Sequence, residues 1–425
     1  MKRYIILWLC LAGLTCSGQQ SSLTLDSCYR AARSHYPQAR QKGLLEESTG
    51  LKIQNLNRNY LPQMSLNGST TYQSDVTKID INVPIPGFDI NTPDLNRDSY
   101  KLTLDVNQVI WDGGVTGNQK KVESLGLQID QEALEVDIHL LKERVNQLFF
   151  GIILLRENKN LLVSAKERLD KKHQETLSAI RNGTALTSQG NLLMAEILKV
   201  EQQVAETEID LAASAQMLSE LTGLTIPADI SLEMPSYLTA AIAFQNQRWE
   251  GKLLSSQQEK LIASEKLVTT KLMPRFFAFG QLGYGRPGFN FMDNDFTPFY
   301  IFGAKVSWTF WNWNQNKHEK RILGLQRQIL DTRKETFDQN LRLAYYKDMS
   351  EIRKLEDVLE KDRQIIQLRE EISRTTTSQY DNGVIAASDL VSRLNEETQA
   401  RLQYRLHQVQ LAKLRQTCLV NLGIK

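Results

Sequence analysis

The sequence predicts an α+β chain that crosses a membrane through β-strands and carries long coiled-coil helices away from it. Three observations predict this. The chain is written twice, with marker segments recurring about two hundred residues apart. Each copy holds two strand-like segments of alternating polarity, yet no run after the N-terminus is long and apolar enough to span a bilayer as a helix. The first copy then changes to a sustained heptad pattern, and the second repeats its order of long helix, turn and helix.

The elements follow in chain order. Residues 1–18 read as a signal peptide, with Lys2 and Arg3 at its start, an apolar stretch from Ile5 to Leu14, and Cys16 and Gly18 before Gln19. The remainder is expected to be exported. Cys16 leaves a lipidated N-terminus open as a second reading. The first repeat is expected over 19–223, a linker over 224–234 and the second repeat over 235–425. In the first copy a helix is expected from Leu23 to about Arg58, with Thr24 as N-cap and Asp26 in its first turn. Tyr60-Leu61-Pro62 should stop it.

Strands are expected over Gln63–Gln73 and Ser99–Trp111, where Tyr100, Leu102, Leu104 and Val106 alternate with Lys101, Thr103, Asp105 and Asn107. Arg275–Gly285 and Phe299–Trp311 are their counterparts. Strands of this length suit a tilted crossing of a bilayer. An exported chain without an apolar helix can cross only as a closed barrel. Tyr100, Trp111, Tyr284, Phe299, Trp308, Trp311 and Trp313 lie at or near strand ends, as barrel girdles require. Periodicity alone equally allows a soluble sheet with one packed face.

Beyond Trp111 the period becomes helical. Leu134, Leu141, Leu148, Leu155, Leu162 and Leu169 recur every seventh residue, with Ile138, Val145 and Ile152 between them. The rows resume at Leu193, Val200 and Leu221, and at Ile197, Val204, Leu211 and Leu218. Helices are therefore expected over Val115–Arg181 and Leu186–Thr222, and again over Gln315–Asp381 and Ala387–Leu422. The longer ones would measure about 100 Å at ~1.5 Å per residue. Between the members of each pair stands one Asn-Gly step, Asn182-Gly183 and Asn382-Gly383, a tight-turn signal that makes each the tip of a helical hairpin.

Composition narrows the function. A formal net charge of +2 with 24% charged residues gives no support for nucleic acid as partner. His35, His139, His173, His318 and His407 are scattered, so no metal or other cofactor is expected. There is no nucleophile–base constellation, and "WDGG" at Trp111–Gly114 reads as a strand-to-helix turn rather than a phosphate cradle. An enzyme is not expected.

The chain resembles the TolC-like outer membrane efflux proteins over essentially its whole exported length. The resemblance rests on "SLTLDSCYRAARSHYPQAR", "YLPQMSLNGSTTY", "LTLDVNQVIWDGG" and "YDNGVIAASDLVSRLNEETQARL", and on the doubled order of helix, two strands, long helix, tip and helix. It implies a homotrimer in which four strands per chain close a twelve-stranded transmembrane β-barrel, continued by a periplasmic α-helical barrel. It implies an exit duct of a tripartite efflux or secretion system, embedded in outer membrane lipid. The partners would be a periplasmic adaptor (membrane fusion) protein and an inner membrane transporter of RND, ABC or MFS type. A structural periplasmic coiled-coil or adaptor protein is the alternative. It would explain the heptads but not the paired strands.

The resemblance also assigns residues. Asn182, Gly183, Thr184, Ala185 and Leu186, with Asn382, Gly383, Val384, Ile385 and Ala386, would contact the adaptor. Asp389, six residues after Gly383, matches an acidic position lining the closed periplasmic entrance, and Tyr380 matches a tyrosine that helps hold it shut. Gln189 stands at the equivalent first-copy position, and Ser392 replaces the family's second acid. Since both chain ends lie at one level in this family, a disulfide between Cys28 and Cys418 is open as one reading. The alternative makes Cys418, which matches Leu218, a small core residue.

Overall fold

A computed structural model describes residues 23–77, 95–235, 242–290 and 292–424. The expected signal peptide and Cys16 lie outside the described residues. Helix α1 spans Leu25–His35, and Thr24 caps it by accepting the Ser27 N–H, with Asp26 in the first turn. The single helix expected as far as Arg58 is interrupted. Pro37 forces Tyr36 into an extended conformation, a short 3-10 turn follows at Pro37–Arg40, and α2 runs over Gln41–Arg58.

Strands β1 (Gln63–Tyr72), β2 (Asp98–Trp111), β3 (Arg275–Arg286) and β4 (Thr297–Ser307) form one antiparallel sheet in that order. The register aligns Leu66, Leu104, Leu282 and Tyr300 across it. Helices α3 (Val115–Arg181) and α4 (Thr187–Thr222) follow β2; α5 (Trp249–Thr270) precedes β3; α6 (Gln315–Asp381) and α7 (Ala387–Leu422) follow β4. The bounds of α3, α4, α6 and α7 agree with the expected ones to within a residue.

The last strand does not. It was expected to reach Trp311 and ends at Ser307. Its partner β3 begins at Arg275, opposite Ser307, and Pro274 can supply no ladder N–H beyond that point. Trp308 and Phe310 therefore leave the sheet.

The turn that follows is instructive. Gly113 and Gly114 take positive φ between β2 and α3, at +73° and +86°. Trp313 and Asn314 take the same left-handed conformation before α6, at 51° and 61°. Asp112 holds the first turn as expected for a strand-to-helix step. Its carboxylate accepts the N–H groups of Gly114 and Thr116 at 2.9 and 2.6 Å and the Tyr60 hydroxyl at 2.8 Å.

The chain divides into two compact units, each drawing on both halves of the sequence. One unit holds the sheet, α2, α5 and the first turns of α3 and α6. Its sheet is not covered. Met64, Leu66, Leu102, Leu282, Tyr300, Phe302 and Val306 share one face and are all exposed. Within one chain no described residue packs over that face, whereas a soluble sheet buries one face.

The other unit holds α1, α4, α7 and the remainder of α3 and α6. Its core gathers Val145, Ile152, Leu211 and Leu218 from the heptad rows, Phe149 beside them, and Leu25, Cys28 and Ala32 from one face of α1. The linker meets the segment just before α1, where the Leu23 N–H donates to the Ser231 carbonyl at 3.0 Å. Cys28 and Cys418 are both free and buried, as the core-residue reading has it. Each fills core space. Burial, partly opposed by a hydrogen bond with Ser27, pushes the Cys28 thiol up to about 11. Burial and the Asp348 charge push Cys418 up to about 12. No described helix is long and apolar enough to cross a membrane.

Candidate functional site

Both hairpin tips close by the same backbone geometry. Thr184 N–H donates to the Ala179 carbonyl at 2.9 Å and Gly183 N–H to Ile180 at 3.0 Å. Val384 N–H donates to Gln379 at 2.9 Å and Gly383 N–H to Tyr380 at 2.9 Å. This is the Schellman pattern, which needs a left-handed residue just past the helix. Gly183 and Gly383 supply it, with φ of +73° and +74°. No atom would crowd a Cβ at either position, so the backbone angle alone selects glycine there. The asparagines do not take positive φ. Asn382 instead donates its side-chain N–H to the Ser378 carbonyl at 2.8 Å.

The returning helices start without a polar cap. Leu186 and Ala386 occupy the N-cap positions and make no side-chain cap bond. A Ser, Thr, Asp or Asn there would add about 1 kcal/mol of helix stability. Thr24 shows that this chain uses such caps elsewhere. Leu186 and Val384 are both exposed, while Ala185 and Ile385 are half-buried. The tips thus present apolar side chains where local stability favours polar ones.

Behind the tips, α3 reaches the second hairpin through three polar links, one per turn. Thr176 Oγ1 lies 2.8 Å from the Tyr380 hydroxyl. Lys172 Nζ donates to Asp381 at 2.7 Å and to Glu175 at 2.7 Å. Arg168 Nη1 donates to both Glu397 oxygens at 3.0 Å, while Arg401 Nε donates to Glu397 at 2.9 Å. Burial works against charge on Lys172, yet its bonds to Asp381 and Glu175 outweigh this and raise its pKa. Burial would likewise push the Glu397 carboxyl up. The Ser373 hydroxyl, Arg168 and Arg401 outweigh it and hold the group below the usual carboxylate range. Leu162, Leu169, Leu193, Ile197, Val200, Leu390, Val391 and Leu394 form the apolar cluster beside these links, and Tyr380 packs on it.

The expected gate residues are distributed differently. Tyr380 belongs to the link set. Asp389 sits exposed in the first turn of α7 and, among the described residues, has no ion-pair partner. Arg393, one turn on, bonds Glu396 at 3.0 Å instead. Gln189 is half-buried, and its backbone N–H donates to Leu186 at 3.0 Å. Within one chain, no hydrogen bond among the described residues joins these three to one another. Arg168, Lys172, Thr176 and Glu397 were missed from the sequence. Glu397 carried a signal, because it stands where the first repeat has the core residue Ile197, so a charge occupies a seam position.

No protein-family model and no curated protein matches the chain. Solved structures do. CusC, described for the conformational changes that accompany its folding and transmembrane channel formation, aligns at TM-score 0.72 with 12% identity, covering 94% of this chain and 92% of that one. The outer membrane protein VceC of Vibrio cholerae aligns at 0.67 with 13% identity over 94% and 96%. The open-state outer membrane channel MtrE of Neisseria gonorrhoeae aligns at 0.66 with 16% identity over 94% and 89%. At these identities the likeness carries the architecture, and the chain has the fold of the TolC-like outer membrane channels.

Proposed function

We propose that this chain is the outer membrane exit duct of a tripartite efflux or secretion system. In this reading three copies close a twelve-stranded barrel, and the helical hairpins lead through the periplasm to an adaptor and an inner membrane transporter. The duct conducts passively and makes or breaks no bond.

The observation that carries the reading is the state of the sheet. One face is a continuous exposed apolar surface suited to lipid, the other is largely polar, and β1 and β4 each leave one edge unpaired. Four strands cannot enclose a pore, whereas a ring of copies pairs every edge.

The doubled sequence supports the same ring. Val409 on α7 is 4% exposed, and its first-repeat equivalent Ile209 on α4 is 70% exposed. Ala263 on α5 is 6% exposed against 54% for Leu51 on α2. On the long helices the asymmetry reverses: Leu125 on α3 is 4% exposed and Leu325 on α6 is 43%. Inside one chain, the second repeat's α5 and α7 cover α3, as in the bond from Gln128 to Ser256 at 2.9 Å and that between His139 and the Val420 carbonyl at 2.8 Å. By the same geometry, α2 and α4 of the next copy would cover α6. A contact that joins unlike faces closes into a ring when its rotation allows.

The test is fractionation followed by electrophoresis in mild detergent, heated and unheated. An outer membrane oligomer that becomes monomeric only on heating, and that conducts in planar bilayers, is expected. Release with the periplasmic fraction as a soluble monomer would favour the coiled-coil or adaptor alternative and end the channel reading.

A further inference from the structure

The polar face of the sheet is not uniform. Across β1 and β2 it carries Ser65, Asn67, Thr103 and Asp105, and Asp105 is held by Asn67 and Gln281 at 2.6 and 2.5 Å and by Thr103 at 3.1 Å. Across β3 and β4 the same face carries Phe277, Phe279 and Phe299. These rings do not belong to the lipid-suited surface, which is the opposite face.

Glycines let them lie down. Phe279 pairs with Gly303 and Phe299 with Gly283. A methyl group added at Gly303 would stand 2.6 Å from Phe279 Cζ, and one at Gly283 would stand 2.2 Å from Phe299 Cζ. Each ring therefore covers the backbone of the next strand. Side chains under the rings would push them up into the interior of a barrel.

The charges on this face are lopsided. Lys101, Arg275 and Lys305 are cationic, and among the described residues none has an ion-pair partner. The one carboxylate among the described residues of this face, Asp105, is already engaged by three neutral donors. Lys305 pairs directly with Phe277, and Arg275 stands two residues before Phe277 on the same face.

We propose that this half of the sheet is a binding wall for aromatic organic anions, molecules with a planar ring and a carboxylate or sulfonate. A ring stacked on Phe279 brings its acid group to Lys305, with Arg275 next along the wall, and Phe299, four register positions the other way, is a second stacking site. The proposal rests on the channel reading above, in which this face lines the pore, and it names a cargo class for that pore.

The experiment uses the full-length oligomer in planar bilayers with naphthalene-2-sulfonate, butanesulfonate and a naphthylmethylammonium salt as probes. In a KCl gradient Lys305→Gln with Arg275→Gln should shift the reversal potential from its wild-type value toward potassium. Naphthalene-2-sulfonate should block longest. Phe279→Leu and Phe299→Leu should shorten that block by about twofold to tenfold each, the scale of one aromatic contact, with KCl conductance kept. An oligomer that conducts but holds all three probes equally, or whose leucine variants keep the wild-type block, overturns the binding wall and leaves the channel standing. An oligomer that passes no current at all overturns both.

Discussion

Glu397 offers the sharpest test of how the two hairpins are held together. Its side chain is 4% exposed, and Arg168, at 40%, contributes the bond that crosses from α3 to α7. Replacing Arg168 by Met removes that bond but leaves Arg401 and Ser373 beside the carboxylate. An orphaned buried charge costs about 3–5 kcal/mol. With Arg401 retained, the loss should fall nearer the ~1.5–3 kcal/mol of a single charge-assisted hydrogen bond. Glu397→Gln removes the charge and lets the half-exposed Arg168 return to water, so it should cost less than Arg168→Met. Because both changes act on one link, the double variant should lose less than the sum of the singles. The assay is thermal loss of helical circular dichroism in fixed detergent for all four proteins. A coupling below about 0.5 kcal/mol would refute the link, since independent sites add to within that margin. The pH dependence has a definite sign. The folded pKa of Glu397 is depressed, so its contribution is present above the unfolded value. The contribution is lost as pH falls from that value through the folded pKa. Wild type should therefore weaken on acidification in that window, and Glu397→Gln should weaken less.

Glutamate at Thr184 or Val384 should abolish export while the oligomer still assembles; normal export by both variants would remove the tips as a docking surface. Asp389→Ala should reduce block by multivalent cations added from the periplasmic side, and unchanged block would reduce Asp389 to a helix-start residue favoured by the dipole. At Gly114, where φ is +86° and a Cβ meets nothing closer than 3.7 Å, alanine should cost about 1–2 kcal/mol of left-handed strain, and asparagine, the residue at the equivalent Asn314, should cost less. Equal melting temperatures for the two variants would contradict this. Alkylation of the denatured, unreduced protein should modify both Cys28 and Cys418, whereas the folded protein should react slowly because burial raises both thiols. Two cysteines that resist alkylation in the denatured protein until a reductant is added would restore the disulfide.

Periodicity made the long elements legible because each is governed by one repeated choice. The heptad rows set α3 and α4 to within a residue, the repeat carried the same bounds to α6 and α7, and the Asn-Gly steps set their turns. Where a second, local constraint intervened, the pattern gave no warning of its strength. Pro37 broke a helix whose flanks both read as helical. Strand β4 lost its last residues because its neighbour began at Arg275, and the start of a partner strand is not encoded in the strand itself.

The polar links behind the tips fall between these cases. Arg168, Lys172 and Thr176 look like ordinary solvated residues, because each is judged against its own helix. They acquire a role only when Tyr380, Asp381 and Glu397 arrive from residues more than two hundred positions away. Glu397 alone betrayed itself, by placing a charge at a seam position where the other repeat has isoleucine. A doubled sequence thus supplies an internal comparison. Where the copies agree, the shared residue serves the architecture, as at Gly183 and Gly383. Where they differ in charge at a buried site, the difference marks what one half does for the other. By that criterion Arg168 and Glu397, rather than the conspicuous Asn-Gly turns, are where this chain departs from symmetry in order to join its two hairpins.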